Sequence, residues 1–313
     1  MSSQLMAVDV LVKACQDGDP YSGLQTFKAT LQRKVRHRDE AATQAMLLEA
    51  FQQAIVPFRC SEAASELSRE FFSILKEFGH NSDSFGFGRV RAILSCFTSV
   101  PESEASVAWC RAHVQFLVSA LEWLRTCKGL LSDADKQSSL EYAMFLNGAL
   151  SHAYMRLAHC TESDEEVSCE ALANAYRTSL CCTSNMELIL SVVEELRSRL
   201  TQMERDFLVA RTLYGLLSAA GGNTGSSPRS ALAAANALLP PKAVPVEHAA
   251  LDSFLRDVLL VFNAVAKTPS RPSVKQLGGK VLEALCSAYC STLVPVSDLD
   301  WVALLHAFPT ESE

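Results

Sequence analysis

The chain has 313 residues, 49% of them hydrophobic and 20% charged, with a formal net charge of −7. That hydrophobic share excludes a wholly disordered chain, which lacks the apolar surface needed to offset ordering entropy. The acidic balance argues against nucleic acid as a partner, because such binders need a clustered positive surface. No apolar run approaches the roughly 18 residues that cross a bilayer, so direct membrane insertion is not expected.

The first residues, MSSQLMAVDVLVKA, have no basic start and carry Asp9 within their apolar stretch. A secretory signal is therefore not expected, and the expected compartment is the cytosol. Three helical patterns follow across residues 14 to 78, separated by very short turns. Asp19 is placed to N-cap the first, with Pro20 at its N1 position, where a missing N–H costs nothing. Leu24, Phe27, Leu31 and Val35 recur at helical spacing and form one apolar stripe. Asp39 should cap the second pattern, which carries Ala42, Met46, Leu47, Ala50, Phe51 and Ala54 and should end at Pro57. Ser61 should cap the third, with Ala64, Leu67, Phe71, Ile74 and Leu75 turned inward. Short turns force successive helices to lie antiparallel.

Nearly every later segment also has helical periodicity. Stop signals fall at Gly79, Pro101, Gly129, residues 221–227, Pro240-Pro241, Pro269, Pro272, Pro295 and Pro309. Thirteen or fourteen helices are expected. Capping boxes are expected at Ser163 with Glu166 and at Ser184 with Glu187. The polar stretch from Gly79 to Gly88 reads as a turn, since it lacks the lysine-bearing phosphate-loop pattern. The stretches 221–230 and 239–247 bracket a short alanine-rich helix, Ala231 to Leu238, and mark the clearest internal break. The expected fold is all-α: a right-handed α-solenoid of antiparallel helix pairs, tetratricopeptide-like in geometry but without that consensus.

Chemistry-bearing residues are sparse. The eleven cysteines (15, 60, 96, 110, 127, 160, 169, 181, 182, 286 and 290) include no C-x-x-C pair. They read as small buried hydrophobes kept reduced. Cys286 and Cys290 share a helix face, but two thiols do not make a metal site. His152 and His159 share a helix face yet lie about 10 Å apart by helix rise, too far for one metal ion. The acidic run Glu162, Asp164, Glu165 and Glu166 suits a helix start. No catalytic motif is present, so a non-enzymatic protein without cofactor or metal is expected. The terminal helix around Trp301 either covers the end of the core or forms part of a groove for a partner helix.

One feature stands out against the acidic background: Lys28, Arg33, Lys34, Arg36, His37 and Arg38 gather at one helix end. Cations there suit the helix macrodipole without further meaning. Tyr21, at the start of the same helix, is either an aromatic anchor or a core tyrosine.

The same region carries a resemblance. Gly18-Asp19 followed by Tyr21, then Gln25-Thr26-Phe27-Lys28, the basic helix end and Glu40-Ala41 resemble the first repeats of the Golgi-to-ER traffic protein four family. That family is the helical adaptor of the tail-anchored protein insertion pathway. Phe116-Leu117-Val118-Ser119-Ala120-Leu121-Glu122-Trp123 is similar to a segment near the middle of its members, and the apolar helix from Leu251 to Val265 is a third echo. The resemblance implies a cytosolic adaptor with two halves, 1–160 and 161–313, in one continuous solenoid. The first half would dock the pathway's targeting ATPase through Tyr21, Lys28, Arg33, Lys34, Arg36 and Arg38. The second would hold a ubiquitin-like-domain adaptor protein, which recruits a larger chaperone scaffold. The alternatives are a generic helical-repeat co-chaperone, a scaffold subunit of another complex, and a helical enzyme with a site built from scattered residues.

Overall fold

The computed structural model describes residues 3–80, 84–127, 133–182, 185–220, 227–239, 249–268, 271–289, 293 and 296–309. Among the described residues the chain is all-helical, with no strand. The helices are α1 (Ser3–Gln16), α2 (Pro20–Arg36), α3 (Glu40–Ala50), α4 (Val56–Phe58), α5 (Ser61–Glu77), α6 (Ser84–Thr98), α7 (Val107–Cys127), α8 (Asp133–Cys160), α9 (Glu165–Ser179), α10 (Met186–Arg199), α11 (Gln202–Ala219), α12 (Pro228–Leu238), α13 (Ala249–Ala266), α14 (Pro272–Tyr289) and α15 (Trp301–Ala307). Two compact units divide within α9, one spanning Met1–Ala171 and the other Leu172–Glu313.

In the first unit, α1, α2, α4 and α5 end in the same way. Gly18, Arg38, Arg59 and Gly79 take left-handed backbone conformations, with φ of 76°, 56°, 51° and 79°. After each, the next N–H reaches back to the helix: Asp19 to Ala14 O (3.0 Å), Asp39 to Lys34 O (3.1 Å), Cys60 to Ile55 O (3.0 Å) and His80 to Leu75 O (2.9 Å). This satisfies carbonyls that a helix end leaves orphaned and turns the chain sharply. The positions 18, 38, 59 and 79 make a helix-plus-turn unit of about twenty residues, repeated.

Alternate helices of this unit lie side by side and parallel. Lys28 pairs with Glu66, Gln32 with Glu70 and Arg38 with the carbonyl of Glu77, so α2 and α5 advance in the same direction. Phe72 meets Phe116, and the Trp123 indole N–H donates to His80 O (3.2 Å), so α5 and α7 do the same. Between α1 and α2 the approach is close. A Cβ added at Gly23 would sit 2.5 Å from the Ala14 Cβ, so only glycine fits there.

The expected apolar stripes are buried except at Ala42, which is half-buried: Leu24, Phe27, Leu31 and Val35 on α2, Met46, Leu47 and Ala50 on α3 with Phe51 and Ala54 just after it, and Ala64, Leu67, Phe71, Ile74 and Leu75 on α5. Asp39 caps α3 by accepting from Ala42 N–H, and Pro20 opens α2.

Several helix boundaries differ from expectation. Asp19 holds the N-cap position of α2 but makes no side-chain capping bond. Ser61 is the first residue of α5, and Cys60 is the N-cap. The helix of Pro57 does not stop there. It widens into a π-helical turn, Phe51–Ile55, in which Val56 N–H donates to Phe51 O, and then continues as α4. Widening the turn accommodates the ring and missing N–H of Pro57 without a break. At α9 the cap is Asp164, which accepts from Val167 N–H, one residue after Ser163. At α10 it is Asn185, which accepts from Leu188 N–H (3.2 Å), while Ser184 lies outside the described residues. Of the stretch from Gly79 to Gly88, Gly79 lies in a turn, residues 81–83 lie outside the described residues, and α6 begins at Ser84. Pro272 starts α14 rather than ending a helix, and α12 begins at Pro228, capped by Ser227. The connections 221–226 and 240–248, and Gly129, Pro269 and Pro295, lie outside the described residues.

In the second unit, α11 to α15 surround a core of Leu213, Leu216, Leu217, Leu255, Val258 and Phe262. Trp301 is fully buried there, edge-on to Tyr214 (5.2 Å) and Phe254 (6.0 Å). The terminal helix therefore belongs to the core.

Candidate docking site

The basic residues of α2 separate into two sets. The first set faces α5. Lys28 Nζ lies 2.6 Å from Glu66 Oε1, which raises the lysine pKa by hydrogen bonding to its charged form. One turn on, the Gln32 amide donates to Glu70 (2.9 Å). The Arg38 guanidinium donates to Glu77 O at 3.0 Å, which anchors a residue whose left-handed backbone is otherwise unfavourable outside glycine. Next in the row, His80 Nε2 and Glu40 Oε1 are 2.6 Å apart. These contacts align α2, α3 and α5.

The second set faces outward. Arg33, Lys34 and His37, with Thr30 and Asp39, line a shallow recess of about 360 Å³. The Asp39 carboxylate, which caps α3, brings one negative charge to the lining of this recess. Among the described residues, Arg33, Lys34 and Arg36 have no carboxylate within ion-pair distance. Their position on the last turn of α2 adds the negative end of the helix dipole, which lowers the cost of concentrating cations there. Arg36 is exposed and does not line the recess.

Tyr21 is 68% exposed, so the core-tyrosine reading does not hold. It stands at the opposite end of α2, about 18 Å from Arg33 by helix rise. The six candidate residues thus form no single patch. Arg33, Lys34 and Arg36 are gathered at one end, Lys28 and Arg38 are engaged by α5, and Tyr21 is separate.

The carboxylates on α5 were not anticipated as partners of this region. A signal was present: Glu66 and Glu70 are four apart, as are Lys28 and Gln32, so two matching faces were written into the two helices. A second recess, about 430 Å³, lies between α5 and α7 and is lined by Ser61, Glu62, Ser65, Arg111, Ala112 and Gln115 among others.

The cysteines are more varied than a set of buried hydrophobes. Cys15, Cys96, Cys110 and Cys182 are buried, whereas Cys169 and Cys181 are exposed and Cys60, Cys160 and Cys286 lie between. Cys290 is outside the described residues. Cys60 is hydrogen-bonded by the Cys15 thiol and by backbone N–H groups at the start of α5, which lower its pKa to about 7 and push that of Cys15 up. Burial holds His113 neutral, with its pKa lowered to about 3, in a parallel stack on Phe97. His152 and His159 are both exposed on α8, as are Glu162, Asp164, Glu165 and Glu166. Among the described residues, no three His, Cys, Asp or Glu side chains are grouped so as to hold a metal ion. Nor is any helix there long and apolar enough to cross a membrane.

No protein-family model matches this chain, and no curated protein matches it either.

Proposed function

We propose that the chain is a non-enzymatic cytosolic adaptor of the Golgi-to-ER traffic protein four type. Its helices would form a right-handed, tetratricopeptide-like solenoid of antiparallel pairs. It would bridge the targeting ATPase of the tail-anchored protein pathway to a ubiquitin-like-domain adaptor and, through that protein, a larger chaperone scaffold. Two modest contacts on one scaffold raise the effective concentration at handover. The repeated helix ends and the parallel alternate helices support the stacked-hairpin reading.

The observation that carries the functional reading is the group of cations on the last turn of α2, where Arg33 and Lys34 line an open recess and Arg36 is exposed, in a chain of net charge −7. Such a cluster attracts and orients an acidic partner. Lys28 and Arg38 contribute indirectly, by fixing α2 against α5.

The test is binding of the purified chain to the targeting ATPase across a salt titration, beside the variant Arg33→Glu with Lys34→Glu and Arg36→Glu. Binding is expected to weaken steeply with salt, because the Debye length is about 8 Å at physiological ionic strength. It should be lost in the variant, with helix content unchanged. A wild-type chain that fails to bind at low salt would remove this reading and leave a generic helical-repeat scaffold.

A further inference from the structure

Cys110 and Cys160 are far apart in sequence, but their sulfurs are 3.5 Å apart. Cys110 lies in the first turn of α7, and Cys160 is the last residue of α8. The two helices run antiparallel, so this contact sits where the start of one meets the end of the other. Cys110 is 2% exposed, whereas Cys160 is half-buried and within reach of solvent. The Cys160 thiol also lies 3.5 Å from Ala105 O, which holds it beside its partner. A disulfide needs an S–S distance of about 2.05 Å, so closure calls for an approach of about 1.5 Å, within the reach of side-chain rotation.

We infer that Cys110 and Cys160 are a reversible thiol–disulfide pair, oxidised by a peroxide through Cys160 and resolved by Cys110. The Cys160 thiolate attacks one peroxide oxygen, the O–O bond breaks, and water leaves after protonation. The product is a Cys160 sulfenic acid. The Cys110 sulfur then attacks the Cys160 sulfur. The S–O bond breaks, and the departing hydroxide takes the Cys110 proton and leaves as a second water. Two thiols lose two electrons and two protons, and hydrogen peroxide is reduced to two waters.

The accessibility difference sets the order of events. Cys160 can meet an oxidant, and Cys110 can meet only Cys160. Burial pushes the Cys110 pKa up to about 12, so this thiol is not oxidised directly and must give up its proton to the leaving hydroxide as it attacks, which makes resolution the slow step. The bond would clamp the first turn of α7 to the last turn of α8 and close a loop of 50 residues, which restricts the unfolded chain. In a reducing compartment such a bond is transient, as sensing disulfides are.

The test uses the full-length protein and hydrogen peroxide. Remaining thiols are blocked after oxidation, and peptides are mapped by mass spectrometry with and without dithiothreitol. A cross-linked peptide joining Cys110 to Cys160 is expected as the main product, lost on reduction. The oxidised protein should have a higher Tm than the reduced one. Cys160→Ser, at a half-exposed position, should abolish the cross-link without loss of helix. Cys110→Ser should leave a sulfenic acid at Cys160 that dimedone labels. Free thiols at both positions after oxidation, or cross-links from either to other cysteines as often as between the two, would overturn the inference. The wild-type map decides even if the Cys110 variant does not fold.

Discussion

The two units build their cores from different material. In the first, aromatic rings run in a connected series through several helices. Phe97 contacts Phe51 (5.8 Å), Trp109 (5.3 Å) and Phe116 (5.3 Å), and Phe116 continues to Phe72 (5.3 Å), which reaches Trp123. In the second, leucine, valine and alanine fill most of the interior. Its rings gather at the chain's end, around Trp301 and in the Phe262–Phe308 pair. Helices that pack side by side in the first unit each contribute a large ring to this series, so its big side chains are spread over several elements. The second unit lacks that spread and depends on the seven residues of α15 to complete its core.

The comparison breaks most visibly at its two aromatic centres. Trp301→Ala should destabilise the second unit by about 3–5 kcal/mol, the usual cost of emptying a fully buried aromatic site. Phe97→Ala should cost the first unit a similar amount. Hydrogen exchange resolved by peptide is the measurement. Each variant is expected to lose protection in its own unit and keep it in the other. Equal loss in both units from either variant would mean that the two cores melt as one.

Acid sharpens the contrast. His113, stacked on Phe97, has its folded-state pKa lowered to about 3, below the unfolded value of 6.5, because burial disfavours the imidazolium. The unfolded chain therefore binds the proton more readily. The stability this neutral histidine permits is complete above pH 6.5 and is lost as pH falls towards 3. At about 1.4 kcal/mol per pKa unit, roughly 3 kcal/mol should be gone by pH 4. The first unit is expected to open before the second during acid titration. His113→Leu should flatten that dependence, and an unchanged acid midpoint would place the loss elsewhere.

Much of the fold was legible because apolar periodicity is a local signal. The stripe from Leu24 to Val35 and that from Ala64 to Leu75 are buried as their spacing requires. The caps were less legible, because Asp, Asn, Ser and Thr compete for neighbouring positions. Asp164 and Asn185 displaced Ser163 and Ser184 by one residue each. The π-helical turn before Pro57 was not legible, since proline normally reads as a stop and the accommodation depends on packing from other helices. The helix ends did leave a trace in Gly18-Asp19, Arg38-Asp39 and Gly79-His80, but arginine at a left-handed position carries no sequence signature. For the candidate site, the cation run was visible while its division was not. Which cations remain open depends on carboxylates of α5, some forty residues away.

The smallest expected effect concerns those cross-helix links. Lys28–Glu66 and, in the second unit, Arg211–Asp298 both have a 2.6 Å separation, but the side chains of the first are 29% and 35% exposed against 50% and 54% for the second. Water and salt screen a pair in proportion to its exposure. Double-mutant cycles should give a coupling of about 0.5 kcal/mol for the first and about 0.2 kcal/mol or less for the second. A larger coupling for Arg211–Asp298 would show that the second unit relies on polar closure where the first does not. The expected order assigns the first unit's stability to its apolar stripes and leaves the row of Lys28, Gln32 and Arg38 a different task. By matching α2 to α5 residue for residue, that row sets the register that leaves Arg33, Lys34 and Arg36 outside the contact between the two helices.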